Sequence, residues 1–305
     1  MQQNMKFKSL TICFLFLGLL FLNVSAQENS TSFSGPVGQV IEGRDMNSQI
    51  MGKHVNYAIY LPPGYETSQR RYPVVYLLHG LSDNESGWIQ FGEVNLAADR
   101  AIASREIPPI IIVMPDGGVT WYINNADGTE RWEDMFVEEF IPYIDRTYRT
   151  RPLKEFRGIS GLSMGGYGSL LQSLKHPELF AACAAFSAAV RTDEEMIATT
   201  PARSGMYTRL YGQTQDKTFL TGHYRDNSVL DLVRNLPKDQ IEQVRFYIDC
   251  GDDDFLYKGN ATLHILLRDR QIQHEFRVRD GSHSWSYWRT GITDGLRFIG
   301  ESFHR

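Results

Sequence analysis

The chain has 305 residues, 42% of them hydrophobic and 22% charged, with a formal net charge of −5 at pH 7. That is enough apolar material for one large domain with a substantial core. A mildly acidic chain without a basic run gives no reason to expect a nucleic-acid partner.

The first 26 residues read as something other than fold. Lys6 and Lys8 precede an apolar run from Leu10 to Leu22, interrupted only by Thr11 and Gly18, and Val24-Ser25-Ala26 closes it with a small residue. This is the pattern of a secretory signal peptide, with an apolar core too short to cross a bilayer comfortably. Cys13 lies inside that run and not just after it, which argues against a lipid-modified mature terminus. The expected product is exported to the periplasm or the medium, with no membrane anchor after signal cleavage and a formal charge of about −7 once the two lysines are gone. Residues 27–37 read as a flexible lead, and one domain is expected over residues 38–305.

Short apolar runs then alternate with helical patterns. Val55, Tyr57, Ile59 and Leu61 alternate with other residues and stop at Pro62-Pro63-Gly64, a strand and a turn. Val74 to Leu78, Ile110 to Val113, Arg157 to Leu162, Ala181 to Ser187 and Val244 to Cys250 are short and apolar enough for buried parallel strands. Helical stretches fall between them, among them Val94 to Arg105 and Glu130 to Tyr148. His274 to Arg279 alternates apolar and charged residues like a sheet edge. Trp288, Ile292, Leu296, Ile299 and Phe303 then mark the stripe of a closing amphipathic helix. Cys183 and Cys250 sit in strand-like runs and are expected as buried free thiols, although an oxidising compartment would permit a bridge.

Strands alternating with helices define an α/β chain with one mostly parallel, doubly wound sheet and helices on both faces. Ligands in such sheets bind beyond the carboxyl ends of the strands. Gly161-Leu162-Ser163-Met164-Gly165 stands at such an end, where a strand gives way at once to a helical run from Met164 to Lys175. A serine on this sharp turn projects its hydroxyl above the sheet, and the turn needs flanking residues without side chains. Alone, the pentapeptide is weak, because an inert glycine-rich turn reads the same.

The serine needs a base, and on this architecture acid and histidine follow it in that order. The strand ending at Cys250 runs into Gly251-Asp252-Asp253-Asp254, and the one ending at Arg279 runs into Gly281-Ser282-His283. In an eight-strand count these loops follow the seventh and eighth strands. Ala188 to Gln243 then falls between the sixth and seventh, as an insertion that covers the pocket. His283 is the expected base; the run of three aspartates leaves the acid open. His54, His176, His223, His264, His274 and His304 have no comparable placement. The backbone N–H groups of Leu81 and Met164 are the expected oxyanion donors, with His79 bracing their loop. Trp88, Trp121, Tyr122 and Trp285 fall in or after post-strand loops and are candidates for an aromatic substrate wall. Trp288 is assigned to packing.

Tyr60-Leu61-Pro62-Pro63-Gly64-Tyr65, Leu78-His79-Gly80, Met114-Pro115-Asp116, Gly161 to Gly166, Cys250-Gly251 through Phe255-Leu256, and Gly281-Ser282-His283-Ser284-Trp285 together resemble the esterase D-like family of α/β-hydrolases. The likeness is closest to carbohydrate esterase family one, with its feruloyl and acetylxylan esterases. The resemblance implies the α/β-hydrolase fold and acyl-ester hydrolysis without a metal or organic cofactor. It also implies that the acid is the residue three beyond the strand-ending glycine, Asp254, with Asp253 second. Secretion with one catalytic domain implies removal of feruloyl or acetyl groups from plant cell-wall polysaccharide or oligosaccharide. Relatives acting on siderophore or lipid esters, or transferring the acyl group, are the competing reading. A non-catalytic binding protein is disfavoured because the serine, the histidine and the flanking glycines are all present.

Overall fold

Two hairpin strands, β1 (Gln39–Ser48) and β2 (Lys53–Leu61), open the fold. In chain order there follow β3 (Val74–Leu78), α1 (Val94–Ala103), β4 (Ile111–Pro115), α2 (Ile141–Thr147), β5 (Arg157–Leu162) and α3 (Met164–Lys175). Then come β6 (Ala182–Phe186), α4 (Pro201–Tyr211), α5 (Val229–Asn235), β7 (Arg245–Gly251), α6 (Tyr257–Asp269), β8 (His274–Arg279) and α7 (Trp285–Gly300). The computed structural model describes residues 34–199 and 201–304. The signal-peptide reading of residues 1–26 and the part of the lead before residue 34 lie outside the described residues.

The strands form one sheet in the order β1-β2-β4-β3-β5-β6-β7-β8. β2 pairs antiparallel with β1 and β4, and every other pairing is parallel. The sheet is thus mostly parallel, with β8 at an edge, as its charged alternation predicts. β1 is the strand that the apolar pattern does not delimit. It is an exposed edge strand of sequence QVIEGRDMNS whose register shifts between Ile41 and Arg44, so neither face reads as apolar.

Side chains alternate between two cores, one per face, because successive strand residues point to opposite sides. Val55, Tyr57, Ile59, Val74, Tyr76 and Leu78 join one core together with Leu170 and Leu171 of α3 and Leu263 of α6. Ala58, Tyr60, Val75 and Leu77 join the other, with Ala98 of α1 and Ile292, Leu296 and Ile299 of α7. The helical run near Glu130 to Tyr148 is real but not uniform: a π-helical segment, Met135–Phe140, precedes α2. It stacks Trp132 on Phe136 with ring centroids 4.7 Å apart. The stretch from Ala188 to Gln243 is mainly helical, carrying α4, α5 and shorter helices such as Asp193–Ile197, where Thr192 and Glu195 form a reciprocal cap. Among the described residues no helix is long and apolar enough to cross a membrane. Cys183 and Cys250 are free and buried, and burial pushes each thiol up to about 12.

Candidate active site

β5 stops at Leu162 and α3 starts at Met164, so Ser163 is the whole of the turn. Its backbone sits at φ 54°, ψ −115°, a conformation that costs a non-glycine residue roughly 1–3 kcal/mol and persists only where its surroundings enforce it. They do so from both sides. Its N–H donates to the Phe186 carbonyl at 2.9 Å, and its carbonyl accepts from Tyr167 at 3.0 Å and Ala189 at 2.9 Å. The flanking glycines are steric necessities, not fingerprints. A Cβ on Gly165 would lie 2.3 Å from the Leu78 carbonyl oxygen, and one on Gly161 would lie 2.5 Å from the backbone of Gly165.

The loops after β7 and β8 bring the other two expected residues to the serine. His283 Nε2 lies 2.9 Å from Ser163 Oγ, and His283 Nδ1 lies 2.9 Å from Asp254 Oδ2 and 3.1 Å from Oδ1. Since the carboxylate only accepts, Nδ1 carries the proton and Nε2 is left to accept from the serine hydroxyl. The run of three aspartates divides by burial. Asp254 is 1% exposed, whereas Asp252 and Asp253 face solvent. Asp252 instead accepts from the backbone of Gly281 at 2.9 Å, tying the two loops together.

Burial alone would raise the Asp254 pKa, but hydrogen bonds from His283, the Ser187 hydroxyl and the Leu256 N–H outweigh it and hold the carboxyl below its ordinary value. Ser187 in turn accepts from Trp288 Nε1 at 2.9 Å. The Trp288 and His283 rings meet edge-on, with centroids 4.8 Å apart. Trp288 therefore packs, as expected, but it also fixes the histidine ring and the hydroxyl behind the acid. Sequence reading gives Ser187 no role, because a serine closing an apolar strand carries no signal of its own.

Leu81 and Met164 line the cleft at Ser163. The Leu81 loop is held by His79, which is buried: Nδ1 lies 2.8 Å from the Gly80 carbonyl, and Nε2 accepts the Gly117 N–H at 2.8 Å. A carbonyl only accepts and an amide N–H only donates, so the ring is the neutral Nδ1–H tautomer. By orienting the Gly80 carbonyl it sets the peptide plane that carries the Leu81 N–H.

The four aromatic candidates separate. Trp121 lines the cleft. Trp88 does not: it is 1% exposed, donates from Nε1 to the Leu78 carbonyl at 2.9 Å and packs in the α1–α7 core. Tyr122 is 0% exposed, its hydroxyl bonded to the His79 carbonyl at 2.7 Å and its ring clamped against Gly117 and Gly168. Both belong to the scaffold, not to a substrate wall, because post-strand loops here fold back into the core. Trp285 is half-buried against Trp88 and Phe91, outside the residues lining the cleft. The cleft, about 140 Å³ in volume, is walled by Phe255 and Leu256 on one loop and by Ala189, Arg191 and Arg203 from the helical segment. Those two arginines sit in a segment whose path the sequence does not disclose.

An activated serine at the head of a helix, above a parallel sheet, is the arrangement of a serine hydrolase. Residues 48–299 match the family described as "Putative esterase", and the chain belongs to that family. It is 38% identical to an endo-1,4-beta-xylanase/feruloyl esterase of Xylanibacter ruminicola over 140 residues, 44% of this chain and 19% of the relative. It is 27% identical to an acetyl esterase of Caldicellulosiruptor saccharolyticus over 232 residues, 74% of this chain and 82% of that one. A solved ferulic acid esterase superposes with a TM-score of 0.75 at 30% identity, covering 88% of this chain and 100% of the other. The chain thus spans only about a fifth of the xylanase/feruloyl esterase it matches, while it covers the whole of the single-domain structure.

Proposed function

We propose that the protein is an exported serine carboxylesterase that removes feruloyl or acetyl groups from plant cell-wall carbohydrate through an acyl-enzyme. The unbroken hydrogen-bond chain from Asp254 through His283 to Ser163, opening on a cleft, carries the reading. In the first half-reaction Ser163 Oγ attacks the ester carbonyl carbon while His283 Nε2 takes its proton. The carbonyl electron pair moves to oxygen, facing the N–H groups of Leu81 and Met164. Collapse breaks the bond to the alcohol, which leaves with the proton from His283. Water then repeats the sequence on the acyl-serine and frees the acid. Asp254 holds the ring in the productive tautomer and stabilises the imidazolium.

The feruloyl and acetyl esterases among the relatives support the acyl choice. Trp121 borders the cleft, where an aromatic residue suits a phenolic acyl group or a sugar. The basic, apolar and small-residue pattern of residues 1–26 supports export. The test is hydrolysis of methyl ferulate beside p-nitrophenyl acetate by the mature chain. Ferulate release absent from Ser163→Ala supports the feruloyl reading. Acetate release alone narrows it to deacetylation, and turnover retained by Ser163→Ala overturns the assignment of the nucleophile.

A further inference from the structure

Trp121, Arg191 and Arg203 form one wall of the cleft, and the two arginines give it positive charge. Two other arginines of the helical segment are matched: Arg225 to Asp193 at 2.8 Å and to Asp231 at 2.9 Å, and Arg234 to Asp231 at 2.9 Å. Arg209, which has no ion pair among the described residues, lies outside this cleft. Neither Arg191 nor Arg203 has a carboxylate within ion-pair distance among the described residues, and no Asp or Glu lines the cleft. Behind this wall lies a second cavity of about 20 Å³ that shares Trp121, Ala189 and Arg191 with the cleft and reaches Tyr207. Three of its lining side chains carry buried polar atoms with no hydrogen-bond partner: Trp121 Nε1, Arg191 Nε and Tyr207 Oη. Trp121 is 4% exposed and Tyr207 1%.

Buried donors left unpaired cost stability, so a cluster of them beside a nucleophile marks a place that a ligand completes. The indole and guanidinium N–H groups can only donate, and the tyrosine hydroxyl can donate as well. A group that only accepts and carries negative charge suits the Trp121 and Arg191 donors that the cleft shares, and an arginine fork suits a carboxylate best, while Tyr207 faces only the inner cavity. The inner cavity has room for about one water, so the acid group belongs at the shared end of the cleft, between Trp121 and Arg191, with the exposed Arg203 drawing it in. We propose that this wall is a carboxylate subsite, and that the preferred ester bears an acid group near its scissile bond. The proposal rests on the esterase reading. The acid could come with the acyl group, as in the half-ester of a dicarboxylic acid, or with the alcohol, as in an acylated uronic acid.

The experiment compares kcat/KM for two matched pairs: p-nitrophenyl hemisuccinate against p-nitrophenyl butyrate, and acetylated methyl glucuronoside against acetylated methyl glucoside. The chains are wild type, Arg191→Gln and Arg203→Gln. One acidic ester is expected to exceed its neutral partner by about tenfold, and which pair shows it identifies the source of the acid. That ratio should fall towards one in Arg191→Gln, fall several-fold in Arg203→Gln, and shrink in about 0.5 M salt. Arg203 is exposed, so its variant does not depend on tolerance in the core. Acidic esters turned over no faster than neutral ones, or a preference surviving both substitutions, overturns the subsite. A chain inert toward all four esters counts against the esterase reading instead. In that case calorimetric titration of Ser163→Ala with succinate and glucuronate decides: binding abolished by adding Arg191→Gln supports the subsite, and no binding of either acid overturns it.

Discussion

The indole N–H of Trp288 donates to the hydroxyl of Ser187 at 2.9 Å, and that hydroxyl is one of the groups that hold the Asp254 carboxyl below its ordinary pKa. The acid facing His283 is therefore held from behind by a residue on β6's exit loop and a residue on α7. Ser187→Ala leaves the Trp288 donor unpaired and removes one of the groups that keep Asp254 charged. We expect kcat to fall about three- to tenfold with KM nearly unchanged, since the serine and the cleft stay in place. Steady-state kinetics on a neutral ester checks this. An unchanged kcat would mean that the bond only packs.

Asp254→Asn is expected to lower kcat by about 10⁴, because the amide can present a donor to Nδ1 and reverse the tautomer. The same variant reports on acid stability. The folded Asp254 carboxyl lies below its ordinary value, so it stabilises the fold above its unfolded pKa of about 4, and the contribution is lost as pH falls through the folded value. Melting temperatures between about pH 3 and 6 should decline less steeply in Asp254→Asn than in the wild type. A parallel decline would show that other carboxylates govern acid unfolding.

Gly165→Ala places a methyl group against the Leu78 carbonyl, where a Cβ would come within 2.3 Å of backbone oxygen. Backbone cannot move aside as a flexible side chain can. The variant is expected to lose about 1–3 kcal/mol or more of stability, seen as a lowered denaturant midpoint, and to lose activity as the turn opens. Wild-type stability would show that β3 and α3 can separate without disturbing Ser163.

Trp88 and Trp121 look alike in sequence and both are buried, but of the two only Trp121 lines the cleft. Trp88→Phe should lower the melting temperature, through the lost bond to Leu78 and the smaller ring, while leaving the ferulate-to-acetate preference of kcat/KM unchanged. Trp121→Ala should shift that preference several-fold, because its ring lines the cleft. The reverse pattern would place the acyl group on the other side of the serine.

These two tryptophans show where sequence reading stops. Strand interiors were legible because burial on both faces makes them apolar throughout, as at Val74 to Leu78. Ser163, His283 and the loop carrying Asp254 were legible because the order of loops along a parallel sheet fixes which chain segments meet. The choice among Asp252, Asp253 and Asp254 needed burial, which three identical letters cannot encode. β1 is counted but not delimited in the sequence because an exposed edge strand with a glycine at positive φ, Gly43, has no apolar face to read. Trp88 and Tyr122 were misplaced because an aromatic residue in a loop has the same letter whether the loop opens to solvent or folds into the core. Arg191 and Arg203 were invisible because their meaning lies in the absence of a partner, a property of packing and not of pattern.

In the proposed reaction Ser163 becomes acylated with His283 as its base. The most direct measurement is mass mapping of the purified chain after a fluorophosphonate and after a rapidly quenched p-nitrophenyl ester. A single adduct on Ser163 is expected in both cases, absent from Ser163→Ala and formed far more slowly in His283→Ala. Label on any other residue, or full turnover with no acylated serine trapped, would contradict it.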